Sequence, residues 1–388
     1  MRRKWMLSLA LVLASGVSGY LGWSGYALAL PVVIAFPALW SKAPSRQTAG
    51  LVAVAYFLAA SRGLPQGVAA FYQSDVWPGL ILWLAASIGF VFVHSILWSP
   101  RRDNWSALRY SIAMIVMAVP PFGIVGWAHP LTAAGVLLPG WGWAGLAAMA
   151  AGLAIVTTRY WPAAAITFAG LWLWSAAFWT TPNLGQHWQG VDLTLGDSLG
   201  RDNSLARHSD LAATVHNQRR RDAAVILLPE STLGFWTPTV RRFWQDKLSG
   251  SDLTVVAGAA IVGSDGYDNV LVSISEHEAE VIYRERMPVP GSMWQPWLAL
   301  VGRAGGARAH FFVNPVASVG SSRIAPLICY ELLIVWPILQ SMIYQPDLIV
   351  AAGNGWWTKG TNIVAIQRAS AVAWARLFDK PLVMSFNI

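Results

Sequence analysis

Ile324-Ala325-Pro326-Leu327-Ile328-Cys329-Tyr330-Glu331 is an apolar run that ends on a thiol and a carboxyl. A short, continuous apolar run reads as a strand buried on both faces. Similar runs occur at Ala223–Leu228, Thr254–Ile261, Val270–Ile274, Leu348–Ala352 and Pro381–Phe386. Gly190–Leu195 alternates instead, as a half-buried strand does. Between the runs, Leu205–Arg221 places Leu211, Ala212, Val215 and His216 at helical spacing, and Thr361–Leu377 also reads as a helix. Strands alternating with helices predict an α/β sandwich, with helices covering sheets. No repeat or low-complexity segment interrupts it.

Working toward the N-terminus, the composition changes at Pro182. Of the 388 residues, 55% are apolar and only 12% are charged, against about a quarter charged in a typical soluble domain. From Met1 to Thr181 the only acids are Asp75 and Asp103, facing ten bases. That half therefore carries the whole net charge of +8, because 17 bases and 17 acids cancel in the remainder. A basic chain can suggest nucleic-acid binding. Here the excess sits between apolar segments, so no direct nucleic-acid partner is expected.

Seven segments are candidates for membrane spans: Trp5–Tyr20, Gly25–Trp40, Ala49–Ser61, Pro78–Trp98, Tyr110–Trp127, Trp141–Val156 and Pro162–Trp179. Trp40, Trp98, Trp127 and Trp179 close four of them, as interfacial aromatics do. Basic residues fall in alternate loops. Arg2, Arg3, Lys4, Lys42, Arg46, Arg101, Arg102, Arg109 and Arg159 lie on one side, and Arg62 alone on the other. The positive-inside rule then predicts a cytoplasmic N-terminus and an inner-membrane protein. Seven spans carry the polar half to the periplasm. The expected organisation is a transmembrane α-helical bundle over residues 1–181, followed by an extracytoplasmic α/β domain over 182–388.

Polar residues stand where the buried strands end. Glu230 follows Ala223–Leu228, Cys329 and Glu331 follow the opening run, and Asn354 follows Leu348–Ala352. Sites in α/β folds form outside the carboxyl ends of strands. A carboxylate beside a thiol can take its proton and release a thiolate to attack a carbonyl. The plain alternative is that Glu230 caps a helix and Cys329, the chain's single cysteine, is a small buried hydrophobe. Other constellations fail. Gly353–Thr361 is glycine-rich, but Lys359 is followed by Gly360, which breaks the phosphate-binding pattern. The histidines show no metal-ligand spacing. No metal or other cofactor is expected.

Taken together, these segments resemble the carbon–nitrogen hydrolase (nitrilase) superfamily, and within it the apolipoprotein N-acyltransferase branch. Leu228-Pro229-Glu230-Ser231 is similar to the family's W-P-E-S segment, and Tyr267-Asp268-Asn269 to its Y-N-T/S segment. Leu327–Glu331 is similar to its I-C-Y-E nucleophile segment. Asn354 and Trp356 or Trp357 fall where the family has N-D-A-W-F, and Gln367-Arg368, Arg376 and Pro381-Leu382 follow its downstream pattern. The resemblance implies a four-layer αββα sandwich. It also implies Cys329 as nucleophile, Glu230 as general base, Glu331 as supporting carboxylate, and Asn354, Trp356 and Trp294 near the substrate.

Two departures stand out. The family's catalytic lysine aligns with Glu285, within Tyr283-Arg284-Glu285-Arg286-Met287-Pro288. The chain also ends at Phe386-Asn387-Ile388, where the family continues with further strands and a last membrane span. Both point to a divergent sister group of plasmid conjugal transfer proteins. That likeness implies membrane lipid and the conjugal transfer machinery as partners. It leaves open whether the site is an active acyltransferase or amidase, or a scaffold that has lost its chemistry.

Overall fold

The computed structural model describes residues 2–100, 104–196, 204–303 and 305–388. Arg101 and Arg102 of the loop-charge pattern, and the acid Asp103, lie outside the described residues. The chain divides into two compact units. The first comprises Met1–Pro182, Leu333–Trp336 and Gly360–Asp379, and the second Asn183–Leu332, Pro337–Lys359 and Lys380–Ile388.

Among the described residues of the first unit, two helices are long and apolar enough to cross a membrane, Lys4–Gly22 and Val76–Leu97. The 22 residues of Val76–Leu97 rise about 33 Å, against about 30 Å of hydrocarbon. Ile81, Leu84, Ile88, Phe92 and Ile96 leave an apolar face exposed along it. Arg46–Ala60 and Leu64–Tyr72 qualify together, bent by 50° at their break. The remaining segments of the seven are shorter or broken as helices. Pro31 lies inside the 3-10 stretch Ala27–Ile34, which runs on into Ala35–Ser41. The helix Asn104–Ala118 stops before Pro120-Pro121. Gly142–Val156 has 15 residues, or about 22 Å. Hydropathy registers composition, whereas proline decides where a helix must stop. Inside this unit Trp23 Nε1 donates to Tyr56 Oη at 3.0 Å, and Tyr56 Oη donates to the Ala128 carbonyl at 2.9 Å. His94 and His129 each lie within hydrogen-bonding distance of a backbone carbonyl, Phe90 and Met114 respectively. The helix Ile363–Leu377 clusters with this unit as well.

The second unit is built on two sheets. One has the order β1 (Trp188–Gly190), β2 (Val225–Leu227), β3 (Thr254–Gly263), β4 (Gly266–Ile274) and β5 (Ala279–Arg284). Its first three strands are parallel, and β4 and β5 are antiparallel. The other has the order β6 (Ala317–Val319), β7 (Ser322–Ile328), β8 (Leu348–Asn354) and β9 (Leu382–Asn387), parallel from β7 onward. Leu227, Val256, Leu271 and Tyr283 of the first sheet pack against Ile324, Ile328, Val350 and Val383 of the second. The other face of the first sheet is covered by the helices Leu205–Gln218 and Pro238–Leu248, through Leu211, Val215, Val240 and Trp244. Helix, sheet and sheet are thus stacked inside this unit, three of the four layers that the nitrilase-like resemblance implies.

The buried runs fold as strands nearly where expected. The exception is Gly190–Leu195: the strand ends at Gly190, and Leu193 makes only an isolated bridge to Asn387. Asn387 Oδ1 accepts from the Leu195 backbone at 2.7 Å, so a side chain replaces the ladder there.

Candidate active site

β2, β7 and β8 are parallel strands of the two packed sheets, and their carboxyl ends deliver Glu230, Cys329 and Asn354. β7 stops at Ile328 because the chain turns at Cys329, which adopts φ 45° and opens the 3-10 turn Cys329–Leu333. A non-glycine residue with positive φ is uncommon and such strain gathers at functional sites. The Glu230 turn is similar, with Ser231 at φ 60°. It fits because Gly258 on β3 has no side chain: a Cβ there would lie 2.5 Å from the Glu230 Cα. The Gly258 N–H donates to the Pro229 carbonyl at 3.1 Å.

Three carboxyls and the thiol are buried together. Glu230 and Cys329 are each 4% exposed, and Glu285 and Glu331 are fully buried. The Glu230 carboxyl and the Cys329 thiol are hydrogen-bonded, and the Asn354 N–H reaches both groups. Asn269 Nδ2 donates to Glu230 Oε1 at 2.7 Å and to Glu285 Oε2 at 2.8 Å. Glu230 Oε2 and Glu285 Oε1 are buried without a hydrogen-bond partner among the described residues.

Glu331 is held quite differently. Tyr283 Oη donates to both of its oxygens at 2.7 Å. The N–H groups of Arg286 and Ile328 reach it at 2.7 and 2.8 Å. The Arg286 guanidinium stands 3.7 Å away and donates through Nε to Tyr283 Oη at 2.9 Å. Its other nitrogens bond the Pro337 and Pro326 carbonyls, Gln340 and Ser341. Glu331 thereby fixes the turn that carries Cys329.

Burial raises the pKa of each of these groups, making each a weaker acid. Glu230 is pushed up to about 7, first by burial and then by the Glu331 charge, against the hydrogen bonds from Asn269, Cys329 and Asn354. Glu285 is held well above the usual carboxylate range by burial, then by Glu230 and Glu331, with Asn269 in partial opposition. Burial also lifts Glu331, but Arg286 and its other donors counter it. Burial, Glu230 and Glu285 keep Cys329 a thiol at rest. Deprotonation must therefore accompany attack.

Neither neighbouring arginine fills the place of the family's lysine. Arg284 pairs with Asp268 at 3.3 Å, and Asp268 also binds Arg308 and His310. Arg286 is committed to Glu331 and the carbonyls around it. Lys359 and Lys247 are exposed. Of the expected substrate-side residues, Asn354 joins the cluster, its Oδ1 accepting from Asn387 Nδ2 at 2.8 Å. Trp356 is half-buried and begins the turn after β8. Trp294 is half-buried on its own loop, with its ring edge-on to Phe311 at 5.7 Å. A groove lined by Asn183, Trp188, Ser322 and Asp347 opens at the amino ends of the strands, away from the thiol. Asn269, Tyr283, Arg286 and Gly258 were absent from the expected site. The Tyr267-Asp268-Asn269 motif and the segment Tyr283–Pro288 contain three of them, and nothing in the sequence signals Gly258.

Residues 58–376 match the family model for carbon-nitrogen hydrolase. A probable conjugal transfer protein TraB from Sinorhizobium fredii is 62% identical over the full length of both chains. A conjugal transfer protein TraB from Agrobacterium fabrum is 58% identical, over all of this chain and 94% of its own. Among solved structures, an amidase of the nitrilase superfamily from Nesterenkonia aligns over 53% of this chain and 78% of its own, at 17% identity and a TM-score of 0.37.

Proposed function

We propose a function from one premise: the chain belongs to the carbon–nitrogen hydrolase family. It promotes conjugal plasmid transfer from the inner membrane, and Cys329 does covalent chemistry there on an amide or ester carbonyl. The names of its full-length relatives support the first part. The second rests on one observation, the hydrogen bond between the Cys329 thiol and a Glu230 carboxyl poised near neutrality. Glu230 takes the thiol proton as Sγ attacks and returns it to the departing amine or alcohol. An amine or water then deacylates the thioester, again through Glu230. Glu331 is a positioning residue. Asn354, Trp356 and Trp294 border the substrate.

The apolar helices Lys4–Gly22 and Val76–Leu97 support membrane anchoring. The loop charges support a cytoplasmic N-terminus and a periplasmic nitrilase-like domain. Trp297, three residues after Trp294 and 48% exposed, suits contact with membrane lipid. The transfer machinery is the protein partner in this reading, with no direct nucleic-acid contact.

One observation favours a second reading, a scaffold without catalysis: Glu285 stands at the position that aligns with the family's lysine, and Arg284 and Arg286 are committed to Asp268 and Glu331. Plasmid transfer from cells carrying Cys329→Ala, at wild-type membrane levels, separates the two. Transfer falling to the level of a deletion supports chemistry at Cys329. Unchanged transfer removes the enzymatic reading and leaves the scaffold.

A further inference from the structure

We propose that Glu285 is itself the oxyanion donor, a neutral carboxylic acid that hydrogen-bonds to the substrate carbonyl oxygen while Cys329 attacks. This rests on reading Cys329 as a nucleophile.

The geometry carries it. Asn269 has two amide hydrogens, and each is given to a different carboxyl. Two carboxylates flanking one amide, with the Glu331 charge nearby, cannot all ionise inside a buried site. The proton goes where the charge is least supported. Glu331 is surrounded by donors and faces a guanidinium, and Glu230 shares hydrogen bonds with Asn269, Cys329 and Asn354. Glu285 has Asn269 alone for its Oε2, and its Oε1 is buried without a partner. That oxygen is the natural seat of the proton. A buried hydroxyl with no acceptor is a donor held ready for a ligand. Burial and the neighbouring Glu230 and Glu331 charges keep Glu285 protonated well above the usual range. A carboxylic acid kept neutral by its site can serve as an oxyanion donor.

The change of charge then has a chemical meaning. The Sγ–C bond forms, the carbonyl π pair moves onto oxygen, and Glu285 donates to that oxygen without transferring its proton. When the tetrahedral adduct collapses, the C–N or C–O bond breaks and the leaving group takes the proton held by Glu230. The substrate class is an amide or ester whose carbonyl enters beside Glu285.

The test uses full-length protein in detergent with two probes. A p-nitrophenyl acyl ester forms an oxyanion when it acylates Cys329, and iodoacetamide alkylates the thiol without forming one. Glu285→Leu should slow acylation about 10²–10³-fold, read as nitrophenolate release and an acyl mass shift. Alkylation should remain within about threefold of wild type, which also shows that the site has folded. Glu285→Gln keeps a neutral donor and should acylate within about tenfold of wild type. Wild-type acylation at Cys329 with Glu285→Leu just as fast would overturn this inference alone. Absence of Cys329-dependent acylation in the wild type would overturn the nucleophile reading and this one with it.

Discussion

Glu331 and Glu285 are equally buried glutamates of one site, and their surroundings are opposite. Glu331 accepts from a phenol and from the backbone N–H groups of Arg286 and Ile328, with a guanidinium behind the phenol. Glu285 has a single donor, shared with Glu230, and an oxygen with no partner among the described residues. Identical side chains are thus sorted into an anchor and a reactive group by what points at them. The buried cation Arg286 serves the anchor. The carboxyl beside the thiol is left to remain neutral.

The sharpest way to break this contrast is Glu331→Leu. It strands the Arg286 guanidinium, which is wholly buried. Removing one partner of a buried pair costs about 3–5 kcal/mol. A large fall in thermal midpoint is expected, with loss of Cys329 labelling. A midpoint within a degree of wild type would show that Glu331 is no anchor. Tyr283→Phe is a smaller break, because it removes only the hydroxyl that links Arg286 Nε to both Glu331 oxygens. Hydrogen bonds to charged groups contribute about 1.5–3 kcal/mol. Denaturant unfolding of the variant measures this, and no loss would mean that Glu331 and Arg286 pair well without the phenol.

This contrast was only half legible in the sequence. Cys329, Glu230 and Asn354 could be found because their strands are continuous apolar runs that stop on a polar residue. β5 was missed because Ala279-Glu280-Val281-Ile282-Tyr283-Arg284 mixes polar and apolar residues without a clean period. With it went Tyr283, which lies 48 residues from Glu331 in the chain. Nothing local predicts that a phenol and a guanidinium converge on a carboxylate from another sheet. Arg286 is next in sequence to Glu285, the lysine-aligned residue, yet its hydrogen bonds commit it to Tyr283 and the carbonyls around Glu331. In the apolar half, hydropathy found where the chain is greasy. It did not weigh Pro31 or Pro120-Pro121, where helices break or end short of a membrane's thickness.

The finest test is pH, and it acts on the third carboxyl. Glu230 has its pKa raised from the ordinary 4.5 to about 7, chiefly by burial. As a base it works only when ionised, so acylation of Cys329 should rise with pH through about 7. Below that, each unit should slow it about tenfold, equivalent to roughly 1.4 kcal/mol. Stability should move the other way. Between about 4.5 and 7 the folded site binds a proton that the unfolded chain has released. The stability from this protonation is complete below the unfolded value and is lost as pH rises through the folded one. Glu285 is also held well above the usual carboxylate range, chiefly by burial. The thermal midpoint should therefore fall between about pH 4.5 and 7 and level off above that, while acylation rises, and Glu230→Gln should flatten the fall. Acylation independent of pH across 7 would mean that Glu230 does not take the thiol proton. The site is then most active where it is least comfortable, which is the expected cost of keeping a base and a neutral acid on one amide.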